Sequence, residues 1–360
     1  MRLFFVINSM QGGGAARVTA ILCNELVNRG EDVFIATNLS THKVDYLLDK
    51  SINVYSIYSQ NHLADNKIKR FFYHVRELRR LLNVVRPDII IGEQEDATLY
   101  SIVARFFMGI PLIAHRHNTF KILGLSSVQR LIFNNADITV LLHHTDFEFV
   151  GDRIRKKMVI YNPCSFKINS EALNKEKNVI VVGSIDRWFN KGFDLILEIW
   201  KIVTNTISDW KLIIVGSGNI ESTDYLKKLV VDYGVKNSVQ FTGYVHNVDE
   251  YLAKSSIFAL PSRVEGFPMV LNEAVSQNCA CISFELGGVI PEIYSDKAVL
   301  CVKDSDTIEF SEKLVELMSN VNLRRNLCEY SRREIKQYSI ERIASEWQDL
   351  FVKMKIDKRG

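Results

Sequence analysis

Proline is scarce in this chain of 360 residues, at 6, and glycine is not abundant, at 18. Collagen-like and low-complexity architectures are thereby excluded, most of the chain should be regular helix and strand, and the glycines that do occur should mark special backbone positions. The six cysteines, Cys23, Cys164, Cys279, Cys281, Cys301 and Cys328, lack a C-x-x-C pair or a His/Cys spacing suited to zinc or redox chemistry. Reduced, mostly buried thiols are expected instead. No stretch approaches the roughly 18 apolar residues of a membrane-spanning helix, and the apolar run Leu3–Ile7 is too short for the core of a secretory signal. A cytoplasmic protein, able to touch a membrane surface, is the expectation. Neither sign of charge dominates: 45 Lys+Arg against 42 Asp+Glu leave +3, which argues for no nucleic-acid partner.

A hydrophobic content of 47% is enough to fill the cores of two domains at roughly 150 residues each. Apolar runs bounded by polar turns recur at Leu3–Ile7, Val33–Ala36, Ile89–Ile91, Leu112–Ala114, Ile138–Leu142, Val179–Val182, Leu212–Val215, Ser256–Leu260 and Ala280–Ser283. Strands apolar on both faces belong to parallel sheets covered by helices. Helical patterns lie between them at Ala15–Arg29, Ile68–Val85, Phe193–Thr204, Asp224–Tyr233 and Phe267–Gln277. The alternation predicts an α/β chain of doubly wound parallel sheets. The rhythm starts twice, at Leu3 and again at Val179, with the polar stretch Tyr161–Lys177 between, so two domains are expected at 1–168 and 169–339. The last 55 residues read as helices, and a terminal helix over 340–360 is expected to pack back on the first domain.

Four stretches carry chemistry. Gly12-Gly13-Gly14 joins the first strand to a helix opening at Ala15, where small residues would let an anion or a sugar hydroxyl approach backbone N–H groups. A tight turn with no ligand reads equally well there. Ser184–Asp194 follows the first strand of the second domain and holds Arg187 and Lys191, cations suited to neutralising a pyrophosphate or to an ordinary solvated turn. Glu265-Gly266-Phe267-Pro268-Met269-Val270-Leu271-Asn272-Glu273-Ala274 follows the strand Ser256–Leu260, with Pro268 near the first turn of a helix. Eight residues at about 100° each would leave the two carboxylates roughly 80° apart in projection, each able to grip a vicinal diol through paired hydrogen bonds. Asn66–Arg86 is a basic amphipathic helix, with Lys67, Lys69, Arg70, Arg76, Arg79, Arg80 and Arg86 among Ile68, Phe71, Phe72, Leu78 and Leu81. It fits an anionic lipid surface or the ordinary cover of a sheet.

The stretch Glu265–Ala274 resembles the E-x7-E signature of the retaining nucleotide-sugar glycosyltransferases of family 4. Gly13-Gly14-Ala15 with Arg17-Val18 resembles the family's amino-terminal loop, with Ala16 where the family has glutamate. Val182-Gly183 to Lys191-Gly192 resembles its Val-Gly-Arg…Lys-Gly loop, with Ser184 in the arginine's place. Phe241-Thr242-Gly243-Tyr244, Pro261-Ser262, Gly287-Gly288 and Pro291-Glu292-Ile293 resemble further family positions, so the likeness spans nearly the whole chain.

The resemblance implies the GT-B fold, two facing Rossmann-like domains with a cleft, and a donor nucleotide held by the second. It implies that Glu273 holds the ribose and Glu265 contacts the donor sugar, and that the amides of Phe267, Pro268, Met269 and Val270 beside Gly266 approach the sugar and diphosphate. Lys191 and Arg187 would neutralise the leaving diphosphate. Gly13, Gly14, Gly243 and Tyr244 join the donor site, and His117 of His115-Arg116-His117-Asn118 would sit near the anomeric carbon. His143-His144 cannot face one way on a helix, so they are expected at a cleft edge or a cap with no metal. The implied function is transfer, with retention, of a hexose or N-acetylhexosamine from a nucleoside diphosphate sugar, most simply UDP, to a saccharide hydroxyl on a lipid carrier in bacterial surface polysaccharide synthesis. No metal or other cofactor is required. A nucleotide-sugar 2-epimerase of the same fold and an inactive saccharide-binding homologue are the competing readings. The G-x-G-x-x-G spacing of a dinucleotide oxidoreductase is missing, and Thr37-Asn38 lacks the acid that such an enzyme needs.

Overall fold

The computed structural model describes residues 1–37, 44–57, 66–169 and 175–357. Asn38, residues 170–174 of the expected connection and residues 358–360 of the expected terminal helix lie outside the described residues. The chain divides into two units, Met1–Ser165 with Tyr338–Gly360, and Phe166–Gln337.

The first unit carries β1 (Arg2–Ile7), β2 (Asp32–Thr37), β3 (Asn53–Ser56), β4 (Ile89–Glu93), β5 (Leu112–His115), β6 (Ile138–Leu141) and β7 (Lys157–Val159). They form one sheet in the order β3-β2-β1-β4-β5-β6-β7, and every pairing is parallel. Side-chain alternation decides what covers each face. Leu3, Phe5 and Ile7 of β1 bury against Ile343, Trp347 and Phe351 of the helix Ile340–Asp357, which thus belongs to this unit. Phe4 and Val6 point the other way, into a core with Leu78 and Leu82 of the helix Lys67–Val85. Arg29 ties the terminal helix down through Ser345 Oγ (2.8 Å) and Glu341 O (2.6 Å).

The second unit carries β8 (Glu176–Val182), β9 (Lys211–Val215), β10 (Val239–Gly243), β11 (Ser255–Leu260), β12 (Ala280–Phe284) and β13 (Val299–Val302), in the parallel order β10-β9-β8-β11-β12-β13. Val179 and Val181 of β8 and Ile257 and Ala259 of β11 bury against Ile196, Trp200 and Val203 of the helix Phe193–Thr204. The strands β3, β7, β10 and β13 stand outside the apolar runs read from sequence. Each ends a row of strands, and three of them lack a buried residue: Asn53–Ser56, Lys157–Val159 and Val239–Gly243 are half-buried or exposed throughout.

Candidate functional site

In an open parallel sheet, loops diverge where the strand order reverses, and ligands bind outside the carboxyl ends of the strands at that point. The reversal in the second unit falls between β8 and β11, so the loops that matter are Gly183–Gly192 and Pro261–Pro268. Lys191 stands on the first and Glu265 on the second, and the fold joins them. Lys191 Nζ donates to Glu265 Oε1 at 2.8 Å and Oε2 at 3.0 Å, while Ser262 Oγ donates to Oε1 at 2.7 Å. Lys191 is 21% exposed and Glu265 10%, so the pair lies at a partly dry surface and is screened less than one in open water.

The first loop does not run straight into the helix at Lys191. It forms a short helix, Trp188–Lys191, broken by Gly192 in the left-handed region (φ 66°) before the helix Phe193–Thr204 begins. A Cβ on Gly192 would lie 1.9 Å from Pro261 O, so only glycine permits this approach of the two loops. Arg263 was absent from the sequence-based site. Its guanidinium clamps Asp194 with two bonds of 2.7 Å, donates to Phe189 O at 2.6 Å and lies 4.1 Å above the Phe189 ring, while its N–H donates to Asn190 O at 2.8 Å. The arginine of a Pro-Ser-Arg turn facing an Asp at a helix start was the available signal. Gly183 and Gly216 follow β8 and β9 directly and Gly243 ends β10; a Cβ on Gly216 would meet Gly183 O at 1.8 Å, and Gly216 N–H donates to Gly243 O at 3.0 Å. This side of the edge is built from bare backbone. Tyr244 beside it is 69% exposed and meets the His246 ring edge-on.

Three sequence expectations need correction here. The helix of the signature starts at Met269 with Pro268 as its cap, so Glu265 lies on the loop before it and the helical estimate of the angle between Glu265 and Glu273 does not apply. Glu273 is buried in that helix, at 2% exposure. The expected run of ligand-facing amides is shorter than four, because proline has no N–H and Met269 N–H donates to Phe267 O at 2.8 Å. Phe267 and Pro268 are buried, and Gly266, Met269 and Val270 half-buried. Arg187 is exposed on the turn Ile185–Arg187 and makes no ion pair among the described residues, so the fold does not gather it with Lys191 and Glu265.

In the first unit the order reverses between β1 and β4. The helix after β1 starts at Gly13, two residues earlier than its apolar pattern suggests, with Gly12 as its cap. The chain's own Asp45 already uses the end of this helix: its Oδ2 accepts from Gly12 N–H at 2.8 Å, and Tyr46 OH donates to Gly13 O at 3.0 Å. Gly14 is exposed in the helix's first turn. His115 is the last residue of β5, not part of the loop. His117 turns inward and its Nε2 donates to the carboxylate of Glu93, a residue that sequence reading passed over although it is an acid closing a wholly apolar strand. Burial is the largest cause lowering the His117 pKa, with the neighbouring His115 adding to it, so the ring is neutral near pH 7. His143 caps the helix His144–Val150, its Nδ1 accepting from Asp146 N–H at 3.1 Å.

Comparison with known proteins agrees with this fold. The family described as Glycosyltransferase Family 4 matches residues 12–163, and that described as Glycosyl transferases group 1 matches residues 165–334. An uncharacterized glycosyltransferase of Haemophilus influenzae is 28% identical over 96% of this chain and 98% of its own length. The GalNAc-alpha-(1->4)-GalNAc-alpha-(1->3)-diNAcBac-PP-undecaprenol alpha-1,4-N-acetyl-D-galactosaminyltransferase of Campylobacter jejuni is 26% identical, over 99% of both chains. Among solved structures, the sucrose-phosphate synthase from Thermosynechococcus elongatus aligns with a TM-score of 0.84 at 15% identity, covering 98% of each chain. With both halves of the sequence matched in order and two parallel-sheet units of the right topology, the chain belongs to the group 1, family 4 glycosyltransferases and has their GT-B fold.

Proposed function

We propose that this glycosyltransferase moves a hexose or N-acetylhexosamine from a UDP-sugar, with retention, to a hydroxyl of a lipid-linked saccharide during bacterial surface polysaccharide synthesis. The observation that carries the reading is the Lys191–Glu265–Ser262 cluster at the strand-order reversal of the second unit. In the reaction the bond from the anomeric carbon to the diphosphate oxygen breaks. The acceptor oxygen bonds to the same face of that carbon, and its proton passes to the departing diphosphate. Catalysis then rests on positioning and on charge placed at the phosphates. Lys191 meets the growing negative charge, so no metal is required. Glu265 holds the donor sugar, Glu273 the ribose, and the backbone of Gly266, Phe267 and Val270 the sugar and diphosphate, with Gly243 and Tyr244 beside the nucleotide. Gly13, Gly14 and His117 are the first unit's share. Release of nucleoside diphosphate from a panel of sugar donors, with and without polyprenyl-diphosphate-linked acceptor, tests this. Acceptor-dependent release from one UDP-sugar supports the reading; release from none, or 2-epimerisation of the donor, refutes it.

No helix among the described residues is long and apolar enough to cross a membrane. We assign membrane contact to the helix Lys67–Val85 and the turn beside it. Leu78 and Leu81 belong to the core, but Ile68 (68%) and Phe72 (63%) are exposed among Lys67, Lys69, Arg70 and Arg76. Seven residues, about two turns, beyond Phe72 on the same face, Arg79 donates to Ala104 O and Phe106 O, both at 2.9 Å, fixing a turn whose Phe106 is 61% and Phe107 92% exposed. Cations around exposed aromatic rings suit an anionic leaflet. Phe72→Ser with Phe107→Ser should weaken sedimentation with vesicles containing anionic lipid by about a hundredfold or more, from about 1.5–3 kcal/mol for each ring withdrawn. Binding that is equal for variant and wild type, or indifferent to salt, would remove this face from the account.

A further inference from the structure

Three polar atoms of one buried cluster in the first unit have no hydrogen-bond partner among the described residues: Glu93 Oε1, His115 Nε2 and His117 Nδ1. The cluster sits at the carboxyl ends of β4 and β5, where Glu93 and His115 are register partners, beside the reversal of strand order. Glu93 Oε2 accepts from His117 Nε2 and lies 2.9 Å from His115 Nδ1, and the two rings stand 4.1 Å apart. The residues are 1%, 1% and 8% exposed for Glu93, His115 and His117, and Trp347 closes over His115 with ring centres 5.0 Å apart. A buried carboxylate that ends an otherwise apolar strand costs stability unless its partners compensate, so a role is called for.

Two imidazoles and a carboxylate within 4.8 Å of one another could face a cation. The nitrogens turned to Glu93 are taken up by its carboxylate, and the outward ones, His115 Nε2 and His117 Nδ1, meet among the described residues no carboxylate or carbonyl of the kind that normally orients a ligating imidazole. The contacts present are those of a charge shared with two rings. We propose that Glu93 is a positioning residue for glycosyl transfer: its carboxylate holds His117 as the neutral tautomer protonated on Nε2 and sets the place of the segment 116–119. This rests on the reading that His117 serves the reaction. The same segment is braced from its other side, by Arg116 pairing with Glu95, donating to Asn118 O at 3.1 Å and stacking 4.5 Å from the Phe120 ring. Burial works to raise the Glu93 pKa, but its pairing with His115 and then with His117 outweighs it and holds the carboxyl down at about 2. Glu93 is therefore ionised wherever the enzyme works. The groups facing this centre are Cys23 from the helix Gly13–Asn28, Glu93 from β4, His115 from β5 and Arg116 beside His117. Of these, Glu93 alone acts to raise the His117 pKa.

The test uses the full chain with Glu93→Gln, Glu93→Ala and His117→Ala. Glu93→Gln keeps an acceptor for Nε2–H but loses the charge. It should fold as wild type and lose about tenfold in kcat with little change in donor KM, while Glu93→Ala, which frees the ring, should lose about a hundredfold. The acid limb of the kcat/KM profile should move to lower pH in Glu93→Gln, which a purely structural role would not cause. An unmoved limb and an undiminished kcat in Glu93→Gln, beside an impaired His117→Ala, would overturn the proposal alone. A fully active His117→Ala would overturn the proposal by removing the role on which it rests. Stoichiometric metal in the purified wild type, lost in Glu93→Gln, would overturn it in favour of a cation site.

Discussion

Lys191→Ala should lower kcat by about a hundredfold to a thousandfold at saturating donor, the scale seen when one preorganised charge-stabilising donor is removed. Negative charge grows on the diphosphate as the anomeric bond breaks, and a fixed ammonium stabilises that state more than the ground state. Lys191 is fixed on both sides. The left-handed Gly192 ends its helical turn, and Glu265 holds its ammonium through two contacts of 2.8 and 3.0 Å. The truncation leaves Glu265 its 2.7 Å bond from Ser262, so the fold should survive with a loss of about 1–3 kcal/mol for a carboxylate deprived of one partner. Steady-state kinetics beside a melting curve separate the two effects. A kcat within threefold of wild type would mean that Lys191 is only a structural partner of Glu265.

Gly192→Ala should do comparable damage by a different route, with no charge altered. The new methyl group would fall 1.9 Å from Pro261 O, and the residue's φ of 66° is a region that alanine enters at a cost of about 1–2 kcal/mol. Overpacking that moves the backbone adds about 1–3 kcal/mol. The two loops must then separate, carrying Lys191 on one away from Ser262 and Glu265 on the other. A shift of about 1 Å at such a site costs up to about a hundredfold in rate. Calorimetry should show a Tm lower by several degrees, and donor turnover should fall with it. Wild-type melting and turnover would show that the approach of the loops at Gly192 is not needed.

The centre of each sheet could be read from sequence and its margins could not. Leu3–Ile7 of β1 and Ile257–Leu260 of β11 are buried on both faces, so these runs are apolar without interruption and stand out against any turn. The outermost strands β3 and β7 keep little burial, and a strand with polar residues on its open side resembles a loop. The site was legible where a short motif carries it, as for Lys191 and Glu265, whose contact spans 74 positions in the chain. What failed was geometry that depends on local backbone: the start of the signature helix at Met269, the backbone donors lost around Pro268, and the early helix start at Gly13. Glu93 and Arg263 went unseen for another reason. Their partners lie 24 and 69 residues away and are brought to them only by the parallel register and by the meeting of two loops.

The central claim is transfer with retention of anomeric configuration, and the first product formed bears on it most directly. Proton NMR of the anomeric signal, taken on the earliest aliquot of a reaction between an α-linked UDP-sugar and the polyprenyl-linked acceptor, should show the small coupling of an α-linkage in a gluco- or galacto-configured sugar. A large coupling, that of a β-linkage formed by inversion, would contradict the account.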